Sequence, residues 1–153
     1  MHADYYRNTL YPLQDNVLDI VAQSNNSFYL TGGTALGRAW LHHRYSDDLD
    51  FFVNDDEYYK ERVEQVYQSI MDSGLGVERV SVSDHFFRCL ILDDSTRLKV
   101  DFVNDTGFRM GHPVETSLFI RTDNAPDRSD FQNWLHVLID EIVRGNDNSL
   151  YSP

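Results

Sequence analysis

The sequence predicts a mixed α+β fold, a small mixed β-sheet flanked by helices, and three observations carry that prediction. Apolar residues recur at helical spacing near both ends of the chain, at Leu13, Val17, Ile20 and Val21 and again from Phe131 to Ile142. Three strand-like segments follow one another between Val77 and Val103. A short apolar run enters a Gly-Gly turn at Gly32 and Gly33, and the only Asp-x-Asp among 19 aspartates lies 16 residues after Gly32.

The elements follow in order. Pro12 suits the first turn of a helix, where its missing N–H is no loss, and the stripe at Leu13 to Val21 continues from it. Ser27 to Thr31 reads as a strand, and Thr34 to His43 as a helix with Leu36, Ala39 and Trp40 on one face. Leu49 to Val53 is a second strand, closed by the turn-like Asn54-Asp55-Asp56. Tyr59, Val63, Val66, Tyr67, Ile70 and Met71 form the stripe of the clearest helix, which Gly74 ends. Strands are expected at Val77–Val82, Phe86–Leu92 and Arg97–Val103, with Asp93-Asp94-Ser95 as a hairpin turn. Residues 104–113 read as a loop and Leu118–Ile120 as one more strand. A last helix is expected from Asp130 to Val143, stopped by Gly145. One domain over 1–145 and a polar tail over 146–153 result, with no linker, repeat or low-complexity segment.

Composition sets bounds on function. At 153 residues, with 41% hydrophobic and 13% aromatic residues, the chain builds one real core and is not of disordered type. No apolar run approaches the roughly 18 residues of a membrane span, and the start of the chain lacks an apolar leader. A single cysteine, Cys89, makes no internal disulfide and is expected as a buried, inert thiol. These features predict a cytoplasmic protein. The net charge of −12 is spread over both halves, −7 over residues 1–80 and −5 over 81–153. An extensive phosphate-backbone grip on nucleic acid is therefore not expected, and any such contact would be local and metal-assisted.

The chemistry concentrates in three places. The strand into Gly32-Gly33-Thr34 turns to a helix whose first N–H groups are free, a geometry that favours an anion, although an ordinary tight turn has the same sequence. In Asp48-Leu49-Asp50-Phe51, strand alternation sets Asp48 and Asp50 on one face and Leu49 and Phe51 on the other. Two carboxylates there need a cation or a wet, solvated face. In Arg97-Leu98-Lys99-Val100-Asp101-Phe102 the alternation sends Leu98, Val100 and Phe102 to the core and Arg97, Lys99 and Asp101 to the opposite side. If the two strands are neighbours, Asp48, Asp50 and Asp101 converge and offer the oxygen donors of a Mg²⁺ site. Lys99 would offset phosphate charge, or simply temper local acidity. Zinc is not expected, because His85, His112 and His136 lack ligand spacing. His42-His43-Arg44, Tyr5-Tyr6 and Tyr58-Tyr59 are read as helix-end charges and packing residues.

Strand, Gly-Gly-Thr, helix, Asp-x-Asp and a later single aspartate, in that order, resemble the nucleotidyltransferase-fold superfamily. Gly32 to Leu36 and Arg44 to Phe52 resemble the AbiEii/AbiGii group, toxins of type IV toxin–antitoxin systems, with the likeness running from Ser27 to Phe102. The resemblance implies that Asp48, Asp50 and Asp101 are catalytic and hold Mg²⁺ or Mn²⁺. It implies that Gly33 with Thr34 seats a nucleoside triphosphate, and the residue pattern adds Gly32, Lys99 and Ser46 to that site, Ser46 being otherwise an ordinary turn residue. The α-phosphate of the triphosphate would pass to a hydroxyl of RNA, protein or a small molecule. An antitoxin or a second copy is the expected protein partner. One departure matters: members of that group continue into a lysine-bearing helical region, for which Arg121-Thr122-Asp123-Asn124 is the expected start, yet no lysine follows Lys99. That sets an alternative beside the enzyme: a shortened member of the fold with weak or absent catalysis, acting through a protein partner.

Overall fold

A computed structural model of the chain describes residues 2–24, 26–35, 37–38, 46–107, 114–115 and 121–122. These fall within a unit spanning Met1–Asp123. The chain starts with α1 (His2–Tyr5) and a π-turn over Tyr6–Leu10, then α2 (Tyr11–Gln23), β1 (Tyr29–Thr31), α3 (Gly32–Thr34), β2 (Leu49–Asn54) and α4 (Tyr59–Asp72). Strands β3 (Gly76–Val82), β4 (Phe86–Asp93), β5 (Thr96–Asp105), β6 (Val114–Glu115) and β7 (Arg121–Thr122) follow. The expected helix over Asp130–Val143, the strand at Leu118–Ile120, the tail, and His42-His43-Arg44 lie outside the described residues.

The strands form one mixed sheet in the order β3-β4-β5-β2-β1-β7-β6. At its centre β2 and β5 run parallel, with Leu49 beside Val100, Asp50 beside Asp101 and Phe51 beside Phe102. This pairing is possible because α4 and the β3–β4 hairpin carry the chain back to the start of β5. The inward residues of both strands meet Leu13, Val17 and Val21 of α2 and Val63, Val66 and Ile70 of α4 in one core. Phe102 is its hub: Phe51 stacks on it at 5.2 Å between centroids, and Phe28 meets it edge-on at 5.0 Å. Each such buried side chain contributes roughly 1.5–3 kcal/mol.

Three details depart from the sequence reading. Met71 is exposed, because Tyr59, Val63, Val66 and Ile70 complete the inward face of α4 and Met71 lies one step round the helix. The loop expected from residue 104 begins later, since Asn104 and Asp105 still pair with Val53 and Asn54. Arg121–Thr122, the expected start of a helix, is instead a short strand whose Thr122 pairs in parallel with Leu30 of β1 and covers the edge of that strand.

Candidate active site

The parallel register of β2 and β5 decides the geometry. Paired residues on neighbouring strands share a sheet face, so Asp50 and Asp101 stand side by side, opposite the core-facing Leu49, Phe51, Val100 and Phe102. Asp48, two residues before Asp50, joins the same side. Its carboxylate is 3.1 Å from Lys99 Nζ, and Lys99 is one pleat from Asp101. Asp48, Asp50, Asp101 and Lys99 are thus brought together as the alternation predicts.

The glycine turn closes on this face. Thr31 pairs with Asp50, and Gly32 follows with φ of +72°. A Cβ at Gly32 would stand 2.6 Å from Asp50 Oδ2, so any other residue there would push the carboxylate aside. Thr34 is fully buried and structural in its contacts: its hydroxyl donates to the Asp48 carbonyl oxygen and stands 2.7 Å from the Ser46 hydroxyl. Ser46 therefore belongs to the turn that presents the aspartates. Gly33, next to Gly32 in the short helical turn α3, is half-buried.

Two further residues position the loop over 46–48. Gln14, buried in α2, donates from Nε2 to the Ser46 carbonyl at 2.8 Å and accepts from Arg38 at 2.9 Å. Tyr6 donates to Asp47 at 2.5 Å, and this bond, with burial second, pushes its hydroxyl pKa up to about 12. Nothing in sequence spacing signals either contact, because one partner is a backbone carbonyl and both are dozens of residues away.

Arg88 is the residue that sequence reasoning missed. It lies on β4 directly opposite Asp101. Its Nε donates to Oδ1 and its Nη2 to Oδ2, both at 2.8 Å, and its Cζ is 5.2 Å from the Phe86 ring centroid. The Asp101 hydrogen bond also raises the pKa of the guanidinium, keeping it charged. A signal existed. Asp93 pairs with Thr96 across the hairpin turn, and counting outward from that pair sets Arg88 against Asp101.

Asp50 is electrostatically the odd member. Burial first, then the charges of Asp101 and Asp48, raises its pKa to about 6, against a smaller opposing pull from Lys99 and Arg88. Cys89, on the core face behind the site, is a buried thiol pushed up to about 12 by burial.

The family model for AbiEii, the nucleotidyl transferase toxin of type IV toxin–antitoxin systems, matches residues 17–138. The chain belongs to the AbiEii family. No curated protein matches it. Among solved structures, JHP933 from Helicobacter pylori superposes with a TM-score of 0.55 at 16% identity, covering 81% of this chain and 53% of that one. An H. pylori protein assigned provisionally as a nucleotidyltransferase gives the same TM-score and identity, over 80% of this chain and 54% of its own. At such identity the likeness shows the shared fold, and this AbiEii chain spans about half the length of those two proteins.

The carboxylates of this AbiEii chain fit a divalent cation in part. Asp48 and Asp50 offer hard oxygen donors, and a cation would relieve the charge crowding at Asp50 that Lys99 and Arg88 offset only in part. Asp101 is already committed to Arg88. Accordingly, among the described residues no three acidic, His or Cys side chains are grouped so as to hold a metal as they stand. Tyr6 and Gln14, which fix the aspartate loop, lie before the matched span of the AbiEii model.

Proposed function

We propose that the chain transfers a nucleotidyl group from a nucleoside triphosphate to a hydroxyl, with Asp48 and Asp50 holding Mg²⁺ or Mn²⁺ and Asp101 joining them once released from Arg88. The observation that carries this reading is the register that sets Asp50 beside Asp101, with Asp48 on the same side and Gly32 against Asp50. A divalent cation at these aspartates would neutralise triphosphate charge and align its α-phosphate. The Gly32-Gly33-Thr34 turn lets phosphate oxygens approach backbone N–H groups, and Lys99 offsets their charge. Released from Arg88, Asp101 would accept the proton of the attacking hydroxyl. That oxygen bonds to the α-phosphorus as the bond to the pyrophosphate leaving group breaks. Catalysis of this kind is mostly positioning and electrostatic stabilisation.

The net charge of −12 favours a protein or small-molecule hydroxyl over a large RNA as acceptor. Membership of the AbiEii family supports a toxin with a cognate antitoxin, and a second copy is the other partner in view. No helix among the described residues is long and apolar enough to cross a membrane, in keeping with action in the cytoplasm.

A second reading has its own observation. Arg88 and Lys99 already engage Asp101 and Asp48, which is how an aspartate cluster kept for architecture would be neutralised. In that reading the chain acts through a protein partner with little catalysis. Incubation with each α-labelled nucleoside triphosphate, Mg²⁺ and a cell extract separates the two. Label transferred by wild type and lost in Asp50→Asn supports the enzyme; transfer that is absent, or equal in both, supports the second reading.

A further inference from the structure

Arg88 is half-buried between the Phe86 ring and Asp101, and its fork takes both oxygens of a carboxylate that is itself buried. A guanidinium does not shed its charge in a protein, so it leaves the carboxylate only by moving as a cation. A cation that moves within this acidic site needs another anion to meet. The planar fork that fits a carboxylate fits two phosphate oxygens equally well. Asp48 and Asp50 also act on Arg88 through their charges, so it belongs to the whole cluster rather than to one pair. Building on the nucleotidyltransferase reading, we propose that Arg88 is the resident cation of the aspartate cluster and exchanges Asp101 for the triphosphate when divalent cation and nucleotide bind.

The exchange has a consequence that simple structural support does not. Arg88 opposes the divalent cation, because it occupies one ligand and adds positive charge, yet it favours the nucleotide. Its removal therefore moves the two affinities in opposite directions. The experiment is calorimetric titration of Mn²⁺ alone, then of an α,β-methylene nucleoside triphosphate at saturating Mn²⁺, into wild type, Arg88→Gln and Phe86→Leu. Arg88→Gln is expected to bind Mn²⁺ about tenfold tighter and the nucleotide about tenfold more weakly. Phe86→Leu keeps the guanidinium but loosens its seat, so Mn²⁺ tightens a few-fold with the nucleotide little changed. Circular dichroism checks folding, and Phe86→Leu carries the test if Arg88→Gln does not fold. Unchanged Mn²⁺ affinity, or both affinities falling together, overturns the exchange while leaving the enzymatic reading intact. If neither wild type nor variant binds Mn²⁺, both fall.

Discussion

The two faces of β2 and β5 are built on opposite terms. Toward the helices, Leu49, Phe51, Val100 and Phe102 are fully buried among apolar neighbours. Toward the other side, one pleat away, three carboxylates crowd a turn, and two side-chain cations offset only part of their charge. The same backbone is thus well satisfied on one face and strained electrostatically on the other. Stability alone would be better served without such an imbalance, and it is the reason for proposing the acidic side as the working one.

The largest test breaks the quiet face. Phe102→Ala removes the hub on which Phe28, Phe51 and Phe87 converge, at a cost of about 3–5 kcal/mol measured by urea unfolding. Next is the seam between turn and carboxylate. Gly32→Ala places a methyl against Asp50 and forces a left-handed backbone on a side chain, costing about 1–3 kcal/mol and moving the site carboxylate. Thermal unfolding and nucleotide titration should both register it. Gln14→Leu leaves the Ser46 carbonyl and Arg38 without their buried partner. We expect a loss of about 1–2 kcal/mol and weakened nucleotide binding, from a residue that touches no substrate.

A last effect, of similar size, has the opposite sign. The pKa of Asp50 is raised from 3.8 to about 6, so between those values the folded protein keeps a proton that the unfolded chain has lost. Without metal, stability therefore falls as pH rises from about 4 to about 6 and stays lower above that window. Asp50→Asn should abolish that fall and stabilise the metal-free protein at pH 7 by about 1–2 kcal/mol, discounted for partial exposure. A Tm series from pH 4 to 8 checks it; a variant less stable than wild type at pH 7 would show that Asp50 is not strained.

Much of this was open to inspection in the residue pattern. The alternation in Arg97 to Phe102 predicts which side chains of β5 meet the core, and Asp48, Asp50 and Lys99 fall on the predicted side. What alternation lacks is partnership. It says that Asp101 faces away from the core but not that Arg88 meets it, a fact that needs the hairpin register as well. Gln14 looks like an interruption in an amphipathic helix, because its partner is a backbone carbonyl 32 residues further on. Arg121–Thr122 became a strand through a neighbour that local propensity does not see.

The acidic face is proposed as a nucleotide site, and calorimetric titration of each nucleoside triphosphate, with and without Mg²⁺, into wild type and Asp50→Asn tests it without knowledge of the acceptor. Binding that requires Mg²⁺ and vanishes in the variant, while the variant remains folded, is the result expected here. No binding to folded wild type under any of these conditions would contradict the claim and leave the aspartates as architecture.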